Sequence, residues 1–127
     1  MIAVDTNILV RALLEDDPQQ SPLARRFLEQ AKAILVPVTV FVELAWVLKS
    51  VGWNRKQIHR VLVTLARQST LHMDRAVDVH AALEDFATGP ADLADYLALR
   101  QAKTLGARKL VTFDRKLAKA PGAERLG

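Results

Sequence analysis

The stretch Ile2-Ala3-Val4-Asp5-Thr6-Asn7 is a short apolar run that ends on an acid and two residues that favour caps and turns. Residues 2–4 are predicted to form a buried strand, which places Asp5 at the carboxyl end of that strand. In open α/β sheets, ligands bind at this edge. A carboxylate there is costly to remove from water unless a cation or a hydrogen-bond donor meets it. The stretch therefore raises the question of whether other acids reach the same edge.

Length and composition predict one globular domain spanning residues 1–127. Hydrophobic residues make up 50% of the chain and charged residues 25%, which excludes a disordered protein. The absence of cysteine excludes disulfides, thiolate metal sites and thiol nucleophiles. No stretch approaches the roughly 20 apolar residues that span a bilayer, and no signal peptide is recognised. We therefore expect a cytoplasmic protein without membrane contact.

Basic residues outnumber acidic ones, 18 to 14, giving a net charge of +4. Residues 100–119 are the most basic region, because their single acid, Asp114, stands among seven lysines and arginines. A basic surface with an acidic minority suits a polyanion whose chemistry needs metal-bound carboxylates. Ordinary solvated helix faces are the alternative explanation of the charge.

Alternating strands and helices predict an α/β fold: a three-layer α/β/α sandwich with a short, mostly parallel sheet of four or five strands. The later strands are predicted at residues 34–36, 70–73, 109–112 and around 125–126. Helices are predicted at residues 8–14, from a Ser21 cap to about 32, at 40–48, from an Asn54 cap to about 68, from an Asp74 cap to 86, and at 92–105 before Gly106.

Five acids stand where this fold could gather them at one edge of the sheet. Asp114 follows its strand as Asp5 follows the first one, and Glu43 is the one charge inside the apolar helix 40–48. Asp92 and Asp95 are spaced i, i+3, so both project from one side of a helix start. Because the carboxyl ends of parallel strands share an edge, Asp5 and Asp114 are expected to lie there together.

Each acid also has a purely structural interpretation. Asp5, Asp92 and Asp114 can cap the helices that follow them, and Glu43 can pair with a base in the core. Asp95 lies past the cap position, so capping is not expected to explain it. Carboxylates that converge without His or Cys form a hard-oxygen site, which suits Mg²⁺ or Mn²⁺ and the hydrolysis of phosphodiesters. The three histidines show no metal-ligand spacing.

Four segments in this order resemble the PIN-domain family, and within it the VapC-type toxins of prokaryotic toxin–antitoxin pairs. They are Asp5-Thr6-Asn7 after the first strand, Glu43 in its apolar helix, Asp92-Leu93-Ala94-Asp95-Tyr96-Leu97, and Thr112-Phe113-Asp114-Arg115-Lys116-Leu117. The resemblance covers essentially the whole chain. It implies a magnesium-dependent endoribonuclease that forms a homodimer and is inhibited by a small cognate antitoxin protein.

The resemblance also implies roles for individual residues. Asp5, Glu43, Asp95 and Asp114 match the four acids that bind Mg²⁺, for which Mn²⁺ can substitute. Asn7, Thr112 and Asp92 match supporting positions. Beside these acids, Arg11, Arg115 and Lys116 are candidates for contact with RNA phosphates, although solvated surface bases explain them equally well.

Two other classes of function compete with the nuclease. One is a receiver or aspartyl phosphatase, which would need a second acid beside Asp5 and a supporting lysine after another strand. Neither is found at a fitting position. The other is a non-catalytic module whose acidic cleft recruits a basic peptide. Dependence of RNA cleavage on metal separates the nuclease from both.

Overall fold

Five short strands and six α-helices make up the chain, and the computed structural model describes all 127 residues. The chain divides into two compact units, residues 1–74 and 75–127. All strand pairs within the units are parallel, as predicted, and the strands form a three-stranded sheet in the first unit and a two-stranded sheet in the second. No helix is long and apolar enough to cross a membrane.

The first unit contains three strands and four helices. In chain order they are β1 (Ile2–Ala3), α1 (Thr6–Leu14), α2 (Gln20–Gln30), β2 (Ile34–Val36), α3 (Val38–Ser50), α4 (Arg55–Ala66) and β3 (Leu71–Met73). The sheet order is β1-β2-β3, with Ile34 in register with both Ile2 and Leu71. The side chains of Ile34 and Val36 are fully buried because β2 is the central strand.

The prediction that residues 2–4 form a buried strand is wrong for most of that segment. Ile2 and Ala3, the two residues of β1, are both exposed, and only Val4 is buried. β1 lies at one edge of the three-stranded sheet and pairs only with β2. An edge strand has a neighbour on one side only, so fewer residues cover it than cover β2.

Capping explains where two of the helices begin. Asn54 and Gln57 form a reciprocal capping box at the start of α4, which confirms the predicted cap. The predicted Ser21 cap is wrong, because α2 already begins at Gln20. Its first N–H groups are instead met by the Asp17 carboxylate, which accepts hydrogen bonds from the backbone of Gln19 and Gln20.

α3 buries one face, which carries Phe41, Leu44, Ala45 and Leu48. Its opposite side carries the exposed Glu43 and Trp46, and the Trp46 side chain is 69% exposed. The apolar neighbours of Trp46 in the sequence therefore do not place its side chain in the core of this chain. In a helix that is apolar on nearly all sides, residue type does not distinguish the buried face from the exposed face, because Trp46 is apolar on either one.

The second unit is a helix pair followed by a small sheet. Its elements are α5 (Ala76–Thr88), α6 (Leu93–Thr104), β4 (Leu110–Thr112), a 3-10 helix (Leu117–Lys119) and β5 (Ala123–Arg125), with β4 and β5 paired. Gly106, with a φ of +89°, follows the C-cap of α6 as predicted. The Asp85 and Arg100 side chains join α5 to α6 through two hydrogen bonds of 2.7 Å.

The predicted cap of α5 is wrong. The residue that precedes this helix is Arg75, which has a left-handed backbone with a φ of 55°, and it makes no side-chain cap. Val77 is 83% exposed, whereas Val79, Ala82 and Leu83 are buried. The cap position lies one residue later than predicted, at Arg75 instead of Asp74, and the buried residues of the helix begin at Asp78.

Candidate active-site residues

Asp5 occupies the N-cap position of α1, but its carboxylate does not cap the helix. Its backbone is extended, and the side chain makes no capping hydrogen bond. The residue is exposed. Capping therefore does not use the oxygens of this carboxylate, which remain open to a ligand from solution. Asn7 lies in the first turn of the same helix and is also exposed.

Glu43 projects from the exposed side of α3 and has a defined partner in α1. The hydroxyl of Thr6 donates a hydrogen bond of 2.6 Å to Oε2 of Glu43. Glu43 is exposed while Thr6 is only 5% exposed, so the contact lies at the border of the core. The exposure of Glu43 excludes the alternative of an ion pair buried in the core.

Thr6 was not among the residues selected from the sequence. Its position between Asp5 and Asn7 was a usable signal, because a small hydroxyl residue at a helix start is often more than a spacer. The other signal was the need of a carboxylate in an apolar helix for a donor. Neither signal names the partner, because Thr6 and Glu43 are 37 positions apart.

Asp92 and Asp95 lie at the N-terminus of α6, as the i, i+3 spacing predicted. Asp92 holds the N-cap position but makes no side-chain cap. The Asp95 carboxylate instead accepts a hydrogen bond from the backbone N–H of Asp92, which is one half of a capping box. Asp95 lies past the cap position, as expected, and this contact links its side chain to the backbone of the cap residue.

The carboxyl group of Asp95 is also perturbed electrostatically. Partial burial raises its pKa, the hydrogen bond from the Asp92 backbone opposes that rise, and the negative charges of Asp114 and Asp92 add to it. The Asp95 carboxylate is thus close enough to Asp114 and to Asp92 to be repelled by both negative charges. A bound cation would relieve this repulsion.

Asp114 sits in a tight turn after β4 that Thr112 helps to hold. Its Oδ1 accepts hydrogen bonds from the backbone N–H groups of Lys116 at 2.7 Å and Leu117 at 3.2 Å. The Thr112 hydroxyl oxygen in turn accepts a bond of 3.0 Å from the Asp114 N–H. The capping interpretation of Asp114 is thus correct for Oδ1. Both capping bonds use that one oxygen, so Oδ2 remains for another ligand.

The three candidate RNA-binding bases differ in their surroundings. Nη1 of Arg11 donates to both carboxylate oxygens of Asp16, at 3.0 and 3.1 Å, and Nε donates to Oε1 of Gln20. Arg115 and Lys116 are exposed beside Asp114. A phosphate would compete with Asp16 for Arg11, whereas the side chains of Arg115 and Lys116 can turn toward a ligand from solvent.

The candidate residues thus form two sets. The first unit holds Asp5, Thr6, Asn7 and Glu43, and the second holds Asp92, Asp95, Thr112 and Asp114. No group of three or more His, Asp and Glu side chains is gathered closely enough to hold a metal ion. Every ligand that either set can offer is an oxygen atom, and such donors fit Mg²⁺ or Mn²⁺ better than zinc.

The matches to known proteins extend over almost the whole chain. The model of the family described as PIN domain matches residues 2–123. A VapC ribonuclease of Aquifex aeolicus (strain VF5) is 23% identical over 123 residues, covering 94% of this chain and 91% of that protein. The crystal structure of Mycobacterium tuberculosis VapC20, described as a toxin that cleaves the sarcin-ricin loop, covers 98% of both chains with a TM-score of 0.49 and 14% identity.

Proposed function

Because this chain belongs to the PIN-domain family, we propose that it is a metal-dependent endoribonuclease and the toxin of a toxin–antitoxin pair. The similarity to a VapC ribonuclease supports the choice of RNA as substrate. The structural observation that carries the proposal is the grouping of acids in the second unit, where Asp95 lies in the first turn of α6 beside Asp92 and is exposed to the negative charge of Asp114. Like charges brought together at a partly desolvated position are unfavourable without a cation.

We assign the binding of Mg²⁺, or Mn²⁺ in its place, to Asp5 and Glu43 in the first unit and to Asp95 and Asp114 in the second. In the structure each of these carboxylates is either uncapped or hydrogen-bonded in a way that leaves further oxygen lone pairs. When bound, the ion would supply Lewis-acid activation of water and neutralise charge on the leaving oxygen. Asp114 would orient the attacking water through Oδ2.

The remaining candidates have supporting roles in this proposal. Thr112 holds the turn that carries Asp114, and Asp92 provides the backbone N–H that orients Asp95. Asn7, exposed in the first turn of α1, stands near Asp5 in the chain. Arg115 and Lys116 would bind phosphates, so RNA affinity should fall steeply with salt. Arg11 would bind a phosphate only after its ion pair with Asp16 is broken.

The expected reaction is hydrolysis by water, leaving a 5′-phosphate and a 3′-hydroxyl. No histidine belongs to either set of candidate residues, so none is assigned to activate a ribose 2′-hydroxyl. The same proposal includes a homodimer, inhibition by a cognate antitoxin protein, and action on RNA in the cytoplasm.

The decisive experiment incubates the purified protein with total RNA, with Mg²⁺ or with EDTA, and maps the new 5′-phosphate ends. Asp5→Asn should abolish cleavage. Asp74→Asn is the matched control, because Asp74 also follows a strand of the same parallel sheet and is exposed. Cleavage that persists in EDTA, cleavage that yields 2′,3′-cyclic ends, or full activity of Asp5→Asn would overturn the proposal. Binding of a basic peptide without any metal-dependent cleavage of RNA would favour the non-catalytic module.

A further inference from the structure

A buried hydroxyl in the first unit contacts one of the proposed metal-binding carboxylates. Thr6 is the first residue of α1 and follows Asp5 directly, while Glu43 lies in the middle of α3. The distance between Thr6 Oγ1 and Glu43 Oε2 is 2.6 Å. This is the short distance expected when a hydroxyl donates to a charged carboxylate.

The position of Thr6 in its helix explains why its hydroxyl points to another element. A threonine deep in a helix commonly donates to the carbonyl oxygen four residues earlier. At the first position of α1, that carbonyl would belong to Ile2 in β1 and lies outside the helix. Thr6 is 5% exposed, so water does not readily satisfy the hydroxyl either. The Glu43 carboxylate provides the acceptor that the helix lacks.

The consequence for Glu43 is a restricted side chain. A glutamate on a helix surface samples many rotamers, and ordering it costs conformational entropy. A hydrogen bond from a donor that is itself buried removes much of that freedom before any ligand arrives. The bond uses one of about four lone-pair sites on the carboxylate, so Glu43 retains the capacity to bind a cation.

We infer that Thr6 is a positioning residue that orients Glu43 for metal binding. The inference rests on the proposed function, in which Glu43 is a metal-binding carboxylate. It predicts that loss of the Thr6 hydroxyl weakens metal binding through Glu43 alone. A purely structural role, in which the bond only ties α1 to α3, predicts lower stability and unchanged metal affinity.

A matched pair of variants isolates the hydroxyl. Thr6→Ser and Thr6→Ala both lose the methyl group, and only Thr6→Ser keeps the donor. Thr6→Val adds a near-isosteric replacement without the donor. Calorimetric titration with Mn²⁺ and Mg²⁺ measures affinity without reference to catalysis, and thermal unfolding reports whether each variant is folded. RNA cleavage as a function of Mg²⁺ concentration then tests the consequence for activity.

Thr6→Ala and Thr6→Val should bind metal about 10- to 100-fold more weakly than wild type, the range typical for residues that orient a ligand. Thr6→Ser should stay within a few-fold of wild type. In both hydroxyl-free variants, higher Mg²⁺ should recover most of the lost cleavage. In a Glu43→Gln background, Thr6→Ala should weaken metal binding no further, because the carboxylate that it orients is already gone.

Two kinds of failure are distinguishable. If wild type binds metal and cleaves RNA but Thr6→Ala and Thr6→Val match it in affinity, the inference is wrong and the proposed function stands. The inference is equally wrong if Thr6→Ala weakens binding by the same factor with and without Glu43. If wild type neither binds Mg²⁺ nor cleaves RNA, the proposed function fails and the role of Thr6 fails with it.

Discussion

The hydroxyl oxygen of Tyr96 accepts a hydrogen bond of 3.1 Å from the backbone N–H of Ala91, in the buried turn that leads into α6. Tyr96 and Ala91 are each less than 3% exposed. The bond ties the turn to the first part of the helix, on either side of Asp92 and Asp95. The position of these two acids thus depends on a buried, uncharged side chain.

Removing this hydroxyl should destabilise the protein. Tyr96→Phe leaves the buried Ala91 N–H without its acceptor, which costs about 1–3 kcal/mol. Denaturant unfolding of the variant measures the loss in the free energy of unfolding. An unchanged free energy of unfolding would show that another acceptor replaces the hydroxyl.

Gly89 is required by the same tyrosine. A Cβ atom built on Gly89 would overlap the hydroxyl oxygen of Tyr96 and lie 2.7 Å from the ring carbon that bears it. Gly89→Ala should therefore cost about 1–3 kcal/mol through overpacking. The double mutant with Tyr96→Phe should lose less free energy of unfolding than the sum of the two single mutants. The reason is that Tyr96→Phe removes the oxygen that the Cβ atom would overlap. Strict additivity in a double-mutant cycle would contradict this contact.

The acid at the start of α2 should make stability depend on pH. Backbone N–H groups of Gln20 and then Gln19 donate to Asp17 and lower the pKa of its carboxyl group below the ordinary value. The folded state therefore prefers the ionised form. The ionised carboxylate of Asp17 therefore adds to the free energy of unfolding. This contribution is complete above the pKa of the carboxyl group in the unfolded chain, about 4, and is lost as pH falls through its lower pKa in the folded protein.

Asp17→Asn tests this directly, because asparagine also caps helices but does not titrate near pH 4. Unfolding measured at pH 7 and pH 3 should show that wild type loses more stability on acidification than the variant does. Asp74→Asn serves as the control for removal of a carboxylate elsewhere. A wild-type-to-variant difference that stays constant between the two pH values would exclude this role for Asp17.

The ion pair of Asp85 and Arg100, which joins α5 to α6, should contribute more to the free energy of unfolding than a more exposed ion pair does. Arg100 donates twice to Asp85, and this bond raises the pKa of the Arg100 guanidinium above its usual value. The two side chains are 32% and 24% exposed. Arg100→Met should cost about 1–2 kcal/mol, allowing for partial screening by solvent.

Lys109→Met is the matched control, since its pair with Glu124 is more exposed. That substitution should cost about 0.5 kcal/mol or less. Urea unfolding of both variants at low and high salt gives the comparison. Equal losses at the two sites would mean that burial and bidentate geometry add nothing to the Arg100 pair.

Asp5→Asn should separate activity from folding. The Asp5 carboxylate makes no capping bond, and asparagine is at least as good at an N-cap position. The thermal midpoint of the metal-free variant should therefore equal or exceed that of wild type, while RNA cleavage disappears. A large drop in the midpoint would show that loss of cleavage reports unfolding instead.

Sequence patterns predicted best those features that depend on near neighbours. The Asn54 cap at the start of α4 and the position of Gly106 after the end of α6 each depend on residues a few positions away. Hydrophobic periodicity also predicted the order of strands and helices. Burial depends on more than residue type: Val77 and Trp46 are both apolar and both exposed, because an apolar residue type does not reveal whether folding covers the side chain.

The sequence by itself determined the PIN-domain fold class, the order of the elements and the identity of the candidate acids, since each depends on local spacing and residue type. Only the tertiary structure decided what those acids contact. Asp5 occupies a cap position without capping, Asp114 caps through one oxygen, and Glu43 accepts the hydroxyl of a residue 37 positions away. The physical reason is that a carboxylate takes whichever donor folding brings near, and chain spacing does not encode such long-range neighbours.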